Sequence, residues 1–322
     1  MEHAKQQRDS SFELLRLVLM FLIVFHHAIT HGLGLDSFAS WGKTPLLIQE
    51  GEMNLYLSLN NLGIFAVNAF VIISGLFGIK ATWKKAETIL FSVLFYTILF
   101  SSLPAFINGD YHFTISSLLF ISHTPYWFIT DYLILMLFAP VINKAYEDID
   151  EKTMKVFSLG ILLFAIYLGF IWGNEIDRSG YNFFHFIVLY SIGRAIAKGW
   201  VNYSSICSIL LFVGAIALNM TAACILYKMG KIDLVWKTTY YSNPLLIIAA
   251  TSLVLYFRHL SFQSRIVNYL ASSALGIYLF QNTDLISRFF YEKVGLTYNG
   301  GGQIYVNHCF LFNSTLHRCN SN

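Results

Sequence analysis

ELLRLVLMFLIVFHHAITHG, residues Glu13–Gly32, is a membrane-length apolar stretch that carries ionisable residues a simple anchor does not need. A transmembrane helix requires about 20 predominantly apolar residues. Arg16 and His27 are separated by ten residues. Eleven helical steps of about 100° return to within about 20° of the starting direction, so both side chains point the same way. At about 1.5 Å per residue they stand roughly 16 Å apart along that face. Glu13 falls one turn before Arg16 and His31 one turn after His27, extending a polar seam, while His26 falls on a different face. Ionisable groups inside a membrane are costly and face a bundle interior or a wet cavity, so the seam is a candidate functional site.

The remainder of the chain agrees with a membrane setting. Of 322 residues, 56% are hydrophobic and 12% charged, and the mean hydropathy is +0.57. Soluble domains carry about 25% charged residues, which excludes that class. Long unbroken apolar runs exclude a β-barrel, whose strands alternate apolar and polar residues. Aromatic residues at 17% suit interfacial Tyr and Trp belts. The net charge of +3 is spread over short loops and gives no basic tract for nucleic acid. Cys207 and Cys224 share one apolar segment, Cys309 and Cys319 lie near the chain end, and none has disulfide-framework or metal spacing. His123, His185 and His259 also lack ligand spacing, so no metal is expected.

Taken in order, the apolar runs predict an all-α polytopic transmembrane bundle of about nine spans with a cytoplasmic N-terminus. The spans are placed near 12–30, 55–79, 88–107, 126–143, 156–172, 183–197, 206–227, 244–257 and 266–280, with Ser10 or Ser11 capping the first. Lys80, Lys84 and Lys85, the charged stretch 143–155, and Arg194 with Lys198 are read as cytoplasmic. Lys228, Lys231 and Lys237 fall in a loop expected outside, against the positive-inside tendency. Residues 115–121 are too short to span and are expected in the interface. One domain is expected over 1–296. The stretch 297–322 is polar, Asn-rich and aperiodic, and is expected to be a disordered outer tail or a truncated or frameshifted end.

The arginine, ten residues and histidine on the first helix make the chain resemble the acyltransferase-3 family of integral membrane O-acyltransferases. Further stretches look like the same family: ISG at Ile73–Gly75, YWFITDYL from Tyr126 with Pro140 and Asn143 after it, LYSIGR ending at Arg194, and LGIYLFQN from Leu275. The likeness covers roughly residues 8–290. Family members often carry a histidine where this chain has Gln281, and they close with a further transmembrane helix where this chain has its polar tail.

The resemblance implies transfer of an acyl group, most commonly acetyl, from cytoplasmic acetyl-CoA to a hydroxyl of a cell-envelope or secreted carbohydrate, in a multi-pass protein of the bacterial cytoplasmic membrane. Its partners would be the carbohydrate acceptor and membrane lipid. No nucleic acid is expected, and no motif speaks to oligomeric state. A sugar hydroxyl is a poor nucleophile near neutral pH, and an imidazole with a free pKa near 6.5 suits the general base. His27 is that candidate, as base or as acyl-imidazole carrier. Arg16 is either a bidentate phosphate contact for the donor or a snorkelling anchor, with Glu13 orienting its guanidinium. His31 is an acceptor contact or an interfacial residue, and Trp127 a substrate contact or an aromatic-belt residue. Ser74, beside Gly75, serves either the site or helix packing. Asp131 lies inside a span with no basic residue within one turn and requires a partner on another helix or a wet cavity. The rival classes are a transporter or flippase for a lipid-linked sugar and an inactive remnant of the family. The first is disfavoured because no inverted repeat is visible.

Overall fold

A computed structural model describes residues 9–35, 48, 50–118, 126–173 and 178–283, together with 286, 289, 290 and 293. The expected tail, Cys309, Cys319 and His123 lie outside the described residues. Among the described residues all regular structure is helical, and six helical segments are long and apolar enough to cross a membrane. These are 10–32, 53–77, 83–107, 127–148, 151–172 and 205–228.

In the structure α1 spans Ser10–His27 and continues as a π-helical turn over Ala28–Gly32. Asp9, rather than Ser10 or Ser11, is its N-cap, accepting from the Ser11 backbone N–H at 3.0 Å. The second long segment is two helices, α2 Met53–Gly63 and α3 Ala66–Phe77. The third is α4 Trp83–Thr97 with a π turn Ile98–Ser102, then α5 Leu103–Ile107. A short helix α6, Tyr111–Leu118, follows where the interfacial segment was expected to begin.

Two expected loop boundaries move. α7 runs Trp127–Asp148 and α8 Glu151–Ala165, with a π turn Ile166–Trp172. The charged stretch read as a loop over 143–155 is therefore almost entirely helical. Its charges fall four residues apart, as in the 2.9 Å Lys144–Asp148 pair and the Glu151–Lys155 pair, which supports helix rather than loop. The turn is made by Asp150, whose side chain accepts from the Thr153 N–H at 3.0 Å. That hydrogen bond to the charged form holds the Asp150 carboxyl below its usual range.

The remaining helices are α9 Phe183–Ala197, α10 Ser205–Lys228, α11 Ile232–Lys237, α12 Pro244–Arg258, α13 Arg265–Ala271 and α14 Ala274–Gln281. α9 and α12 are apolar but shorter than a full span. The ninth expected span is broken at Ser272–Ser273 into α13 and α14.

The pillar of the bundle is the α2–α3 segment, not α1. Its most apolar window is 72% buried, against 22–39% for the other five long segments. Its strongest packing is α3 on α9, where Gly75 meets Gly193. A Cβ on Gly75 would stand 2.2 Å from the Tyr190 carbonyl oxygen, and one on Gly193 2.2 Å from the Ile72 carbonyl oxygen. Lipid offers no hydrophobic drive for helices to associate, so such small-residue contacts supply the van der Waals packing instead.

α3 ends at Gly78, whose positive φ of 70° is open to glycine without steric cost. The exposed backbone of Ile79 is then clamped. Its N–H donates to the Tyr190 hydroxyl at 2.8 Å, that hydroxyl donates to Asn143 Oδ1 at 2.8 Å, and Asn143 Nδ2 donates to the Ile79 carbonyl at 3.2 Å. α1 is tied to the start of α13 by Ser10, which donates to Asn268 Oδ1 at 2.8 Å and accepts from the Ser264 N–H at 2.9 Å.

Gly193→Ala is expected to destabilise the protein by about 1–3 kcal/mol, the usual cost of overpacking a fitted contact. Gly160→Ala, where an added Cβ meets nothing within 4 Å, is expected to leave stability unchanged or raise it. Thermal unfolding of the two variants in detergent checks the contrast, and equal melting temperatures would contradict the α3–α9 contact.

Candidate functional site

One face of α1 opens on an elongated cavity of about 640 Å³. Arg16, Met20, Ile23, His27, Thr30 and His31 line it from that helix. Their spacing of four, three, four, three and one residues is a stripe along one side. Leu15 and Leu19 are fully buried in the core instead, and Val18 and Phe21 are exposed to the surroundings. The lining runs from Arg16 to His31, fifteen residues or about 22 Å, which is a large part of a hydrocarbon core about 30 Å thick.

Of the residues singled out from sequence, Arg16, His27, His31, Ser74 and Trp127 all line this one cavity. Arg16 donates to Glu13 Oε1 at 2.7 Å and its guanidinium lies 5.8 Å from the Phe77 ring centroid. Glu13 is itself buried and does not line the cavity, which fits an orienting role. A guanidinium held on two sides keeps its fork in one plane. Ser74 Oγ donates to the Phe70 carbonyl at 3.0 Å and sits 3.3 Å from the Tyr132 hydroxyl. Asp131 is partly buried and does not line the cavity, so it does not join the others.

The three histidines of α1 lie side by side. Ring centroids are 5.5 Å apart for His26 and His27 and again for His27 and His31. Contrary to the expectation from spacing, His26 also lines the cavity. Its Nδ1 lies 3.4 Å from the Thr30 hydroxyl, which itself donates to Asn60 Oδ1 at 2.9 Å. Since the single hydroxyl proton of Thr30 goes to Asn60, Nδ1 of His26 must be the donor in this pair. His26 is thereby tied to α2. His27 has no such tie: its Nδ1 is buried and finds no hydrogen-bond partner among the described residues. The helix passes into π geometry immediately after His27, closing a backbone bond from the Leu33 N–H to the Ala28 carbonyl at 3.1 Å. π turns of this kind recur at functional sites, where they re-aim neighbouring side chains.

The other walls come from residues that spacing along α1 does not reveal. Tyr132 and Phe128 on α7, Tyr278 on α14 and Asn282 beyond it complete the cavity. Near the His31 end, Trp127 packs with Tyr181 and Tyr241, with centroids 5.0 Å, 5.7 Å and 4.5 Å apart within the trio. The backbone before α12 is held there by Asn68, which donates to the Tyr241 carbonyl at 2.8 Å. Along its α1 stripe the cavity has a guanidinium near one end and imidazoles toward the other, and Trp127, Tyr181 and Tyr241 add an aromatic wall. The cavity can seat a charged group, a reacting hydroxyl and a flat apolar face in series.

A partly open cavity is expected to expose its own wall to small reagents. With native cysteines replaced by serine, Met20→Cys and Thr30→Cys are expected to react with a small water-soluble thiol reagent. Leu19→Cys, on the core side of the same helix, is expected to stay unmodified. Mass spectrometry of the labelled protein reads the difference, and equal labelling of all three positions would contradict the cavity.

An acyltransferase domain model matches residues 9–306, nearly the whole chain. No curated protein and no solved structure matches it.

Proposed function

The chain belongs to the acyltransferase-3 family, is an integral membrane protein and is an acyltransferase in general terms; from that premise we propose that it moves an acetyl group from acetyl-CoA to a hydroxyl of a cell-envelope or secreted carbohydrate. The observation that carries the proposal is the gathering of Arg16, His27, His31, Ser74 and Trp127 on one cavity. The proposed setting is a bacterial cytoplasmic membrane with the Arg16 end inside.

Acyl transfer to an alcohol needs a base for the attacking hydroxyl and an acid for the leaving thiolate. His27 is proposed to serve both. Its imidazole takes the proton of the acceptor hydroxyl as that oxygen attacks the thioester carbonyl. Collapse of the tetrahedral adduct breaks the C–S bond, and the departing sulfur receives the proton from the imidazolium. The alternative, in which the His27 nitrogen takes the acetyl group and then yields it to the hydroxyl, uses the same residue and leaves the same products.

Arg16 is proposed to hold donor phosphate. Its planar fork suits two phosphate oxygens at once, and the Glu13 and Phe77 contacts limit its freedom before the donor arrives. A fork set in place loses less side-chain entropy on binding than a free one. The aromatic trio of Trp127, Tyr181 and Tyr241 is proposed to receive the apolar face of the acceptor ring, with His31 and the tyrosine hydroxyls offering hydrogen bonds.

His27→Ala is expected to lower transfer of label from acetyl-CoA to membrane glycan by at least about 10²-fold at matched protein level. His26→Ala, which removes the Thr30 and Asn60 tie rather than the base, is expected to be milder. Undiminished transfer by His27→Ala would end the mechanism.

Arg16→Lys keeps the charge but loses the fork. It is expected to raise the apparent KM for acetyl-CoA several-fold while the amount of inserted protein stays unchanged. Unchanged donor affinity with disturbed insertion would make Arg16 an anchor instead.

A further inference from the structure

Tyr278 and Asn282 line the cavity on either side of Gln281, whose side chain is 8% exposed and packed inward from α14. Gln281 presents its amide to the His27 ring. Yet three buried polar atoms meet here without a hydrogen-bond partner among the described residues: His27 Nδ1, Gln281 Oε1 and Gln281 Nε2. Three other buried amides of the bundle, Asn219, Asn243 and Asn68, are bonded. Asn219 donates to Asn61 Oδ1 and to the Thr238 carbonyl, and Asn243 donates to Asn219 Oδ1 and to that same carbonyl. Asn68 donates to the Tyr241 carbonyl. Among the described residues Gln281 alone has both of its side-chain polar atoms buried and unpartnered, and leaving a buried amide unpaired is costly, so it calls for a reason.

His27 supplies the reason. An imidazole that accepts a proton on Nε2 must already carry one on Nδ1, and the tautomer is set by whatever accepts from Nδ1–H. An amide oxygen is such an acceptor. The terminal torsion of glutamine is soft, so turning the amide to present Oε1 rather than Nε2 costs little. A neutral amide also suits this place better than a carboxylate, since an unpaired buried charge is far more expensive than a dipole.

We propose that Gln281 is the positioning residue of His27: its Oε1 accepts the Nδ1–H, fixing the tautomer that leaves the Nε2 lone pair for the acceptor hydroxyl. The proton of the acceptor passes to Nε2 and on to the departing sulfur. Gln281 carries no proton at any step, and its dipole steadies the imidazolium between them. This rests on the reading of His27 as the base.

The test uses the full chain in native membranes, with labelled acetyl-CoA as donor and the resident glycan as acceptor. Rates are measured against donor concentration between about pH 5 and 9, a window that brackets imidazole titration. Gln281→Leu keeps the bulk and removes both polar ends. It is expected to lower the rate at saturating donor at least about 10-fold, within the scale of acid–base effects, with the donor KM unchanged. Melting in detergent is recorded alongside to show that the variant is folded at the assay temperature. Gln281→Glu restores an acceptor and is expected to recover part of the rate. Because a carboxylate favours imidazolium, it should move the acid limb of the pH profile to higher pH. Three outcomes would overturn the assignment: a wild-type rate and profile in Gln281→Leu, no recovery in Gln281→Glu, or an unmoved pH limb in that variant. His27→Ala run in parallel separates the two levels. If it is inactive while Gln281→Leu is normal, only the Gln281 role falls, whereas an active His27→Ala takes down the reading of the base itself.

Discussion

The contact of Gly75 with Gly193 sets the geometry on which the rest of the bundle depends. In water, a helix pair is held by burying apolar faces. In lipid that drive is absent, and close backbone approach must replace it. With carbonyl oxygens 2.2 Å from where a Cβ would sit, α3 and α9 allow no side chain larger than hydrogen at their crossing. The same crossing brings Tyr190 to the Ile79 N–H and so closes the polar ring with Asn143 where α3 leaves the bundle. It also aims the neighbouring position. Ser74, about 100° round the helix from Gly75, faces the cavity instead of α9. One helical turn thus fixes the pillar and supplies part of the cavity wall, with Gly75 at the packing contact and Ser74 on the cavity.

Polar groups inside this bundle divide according to whether they are satisfied. Asn61, Asn219, Thr238 and Asn243 form a network whose bonds run from 2.8 to 3.2 Å and join α2, α10 and the connection before α12. The lysine-rich stretch 228–237, expected as a loop, includes a short helix, α11, and leads into Thr238, whose carbonyl accepts from two asparagines. The seam on α1 is different. Arg16 is paired, His26 is tied to Thr30, and His27 is left open at Nδ1. Residue type alone does not separate structural from chemical polar groups in a membrane, and an open buried atom singles out a chemical one only where, as for His27, its residue also borders the cavity.

How much was legible follows from this. Helical periodicity turns spacing into direction, so the Arg16–His27–His31 stripe could be read from one segment, and the structure places all of it on one cavity. The family likeness added Ser74 and Trp127, which lie on other helices and carry no periodic signal of their own. Tyr132, Tyr181, Tyr241, Tyr278 and Asn282 escaped because they converge from separate elements, and convergence is a property of packing. His26 was misassigned because a cavity has width: a face about 80° from the seam still borders it. The helix ends over 143–155 were missed for a different reason. A charged stretch suggests a loop, whereas charges four residues apart stabilise the helix that carries them. The broken ninth span lacked any proline to announce it.

On the proposed reading, position along α1 also constrains the two substrates unequally. His27 lies eleven residues from Arg16 but four from His31, or about 16 Å against about 6 Å along the axis. A donor whose phosphates rest on Arg16 must therefore deliver its carbonyl on an extended arm that threads most of the passage. The acceptor need only dip past the aromatic trio. Size selection then falls on the donor side, where the passage is long, and shape selection on the acceptor side, where Trp127, Tyr181 and Tyr241 stand within 6 Å of one another. Placing the base near the far end also keeps the thioester away from bulk water on the donor side until an acceptor hydroxyl is beside it, which favours transfer over hydrolysis.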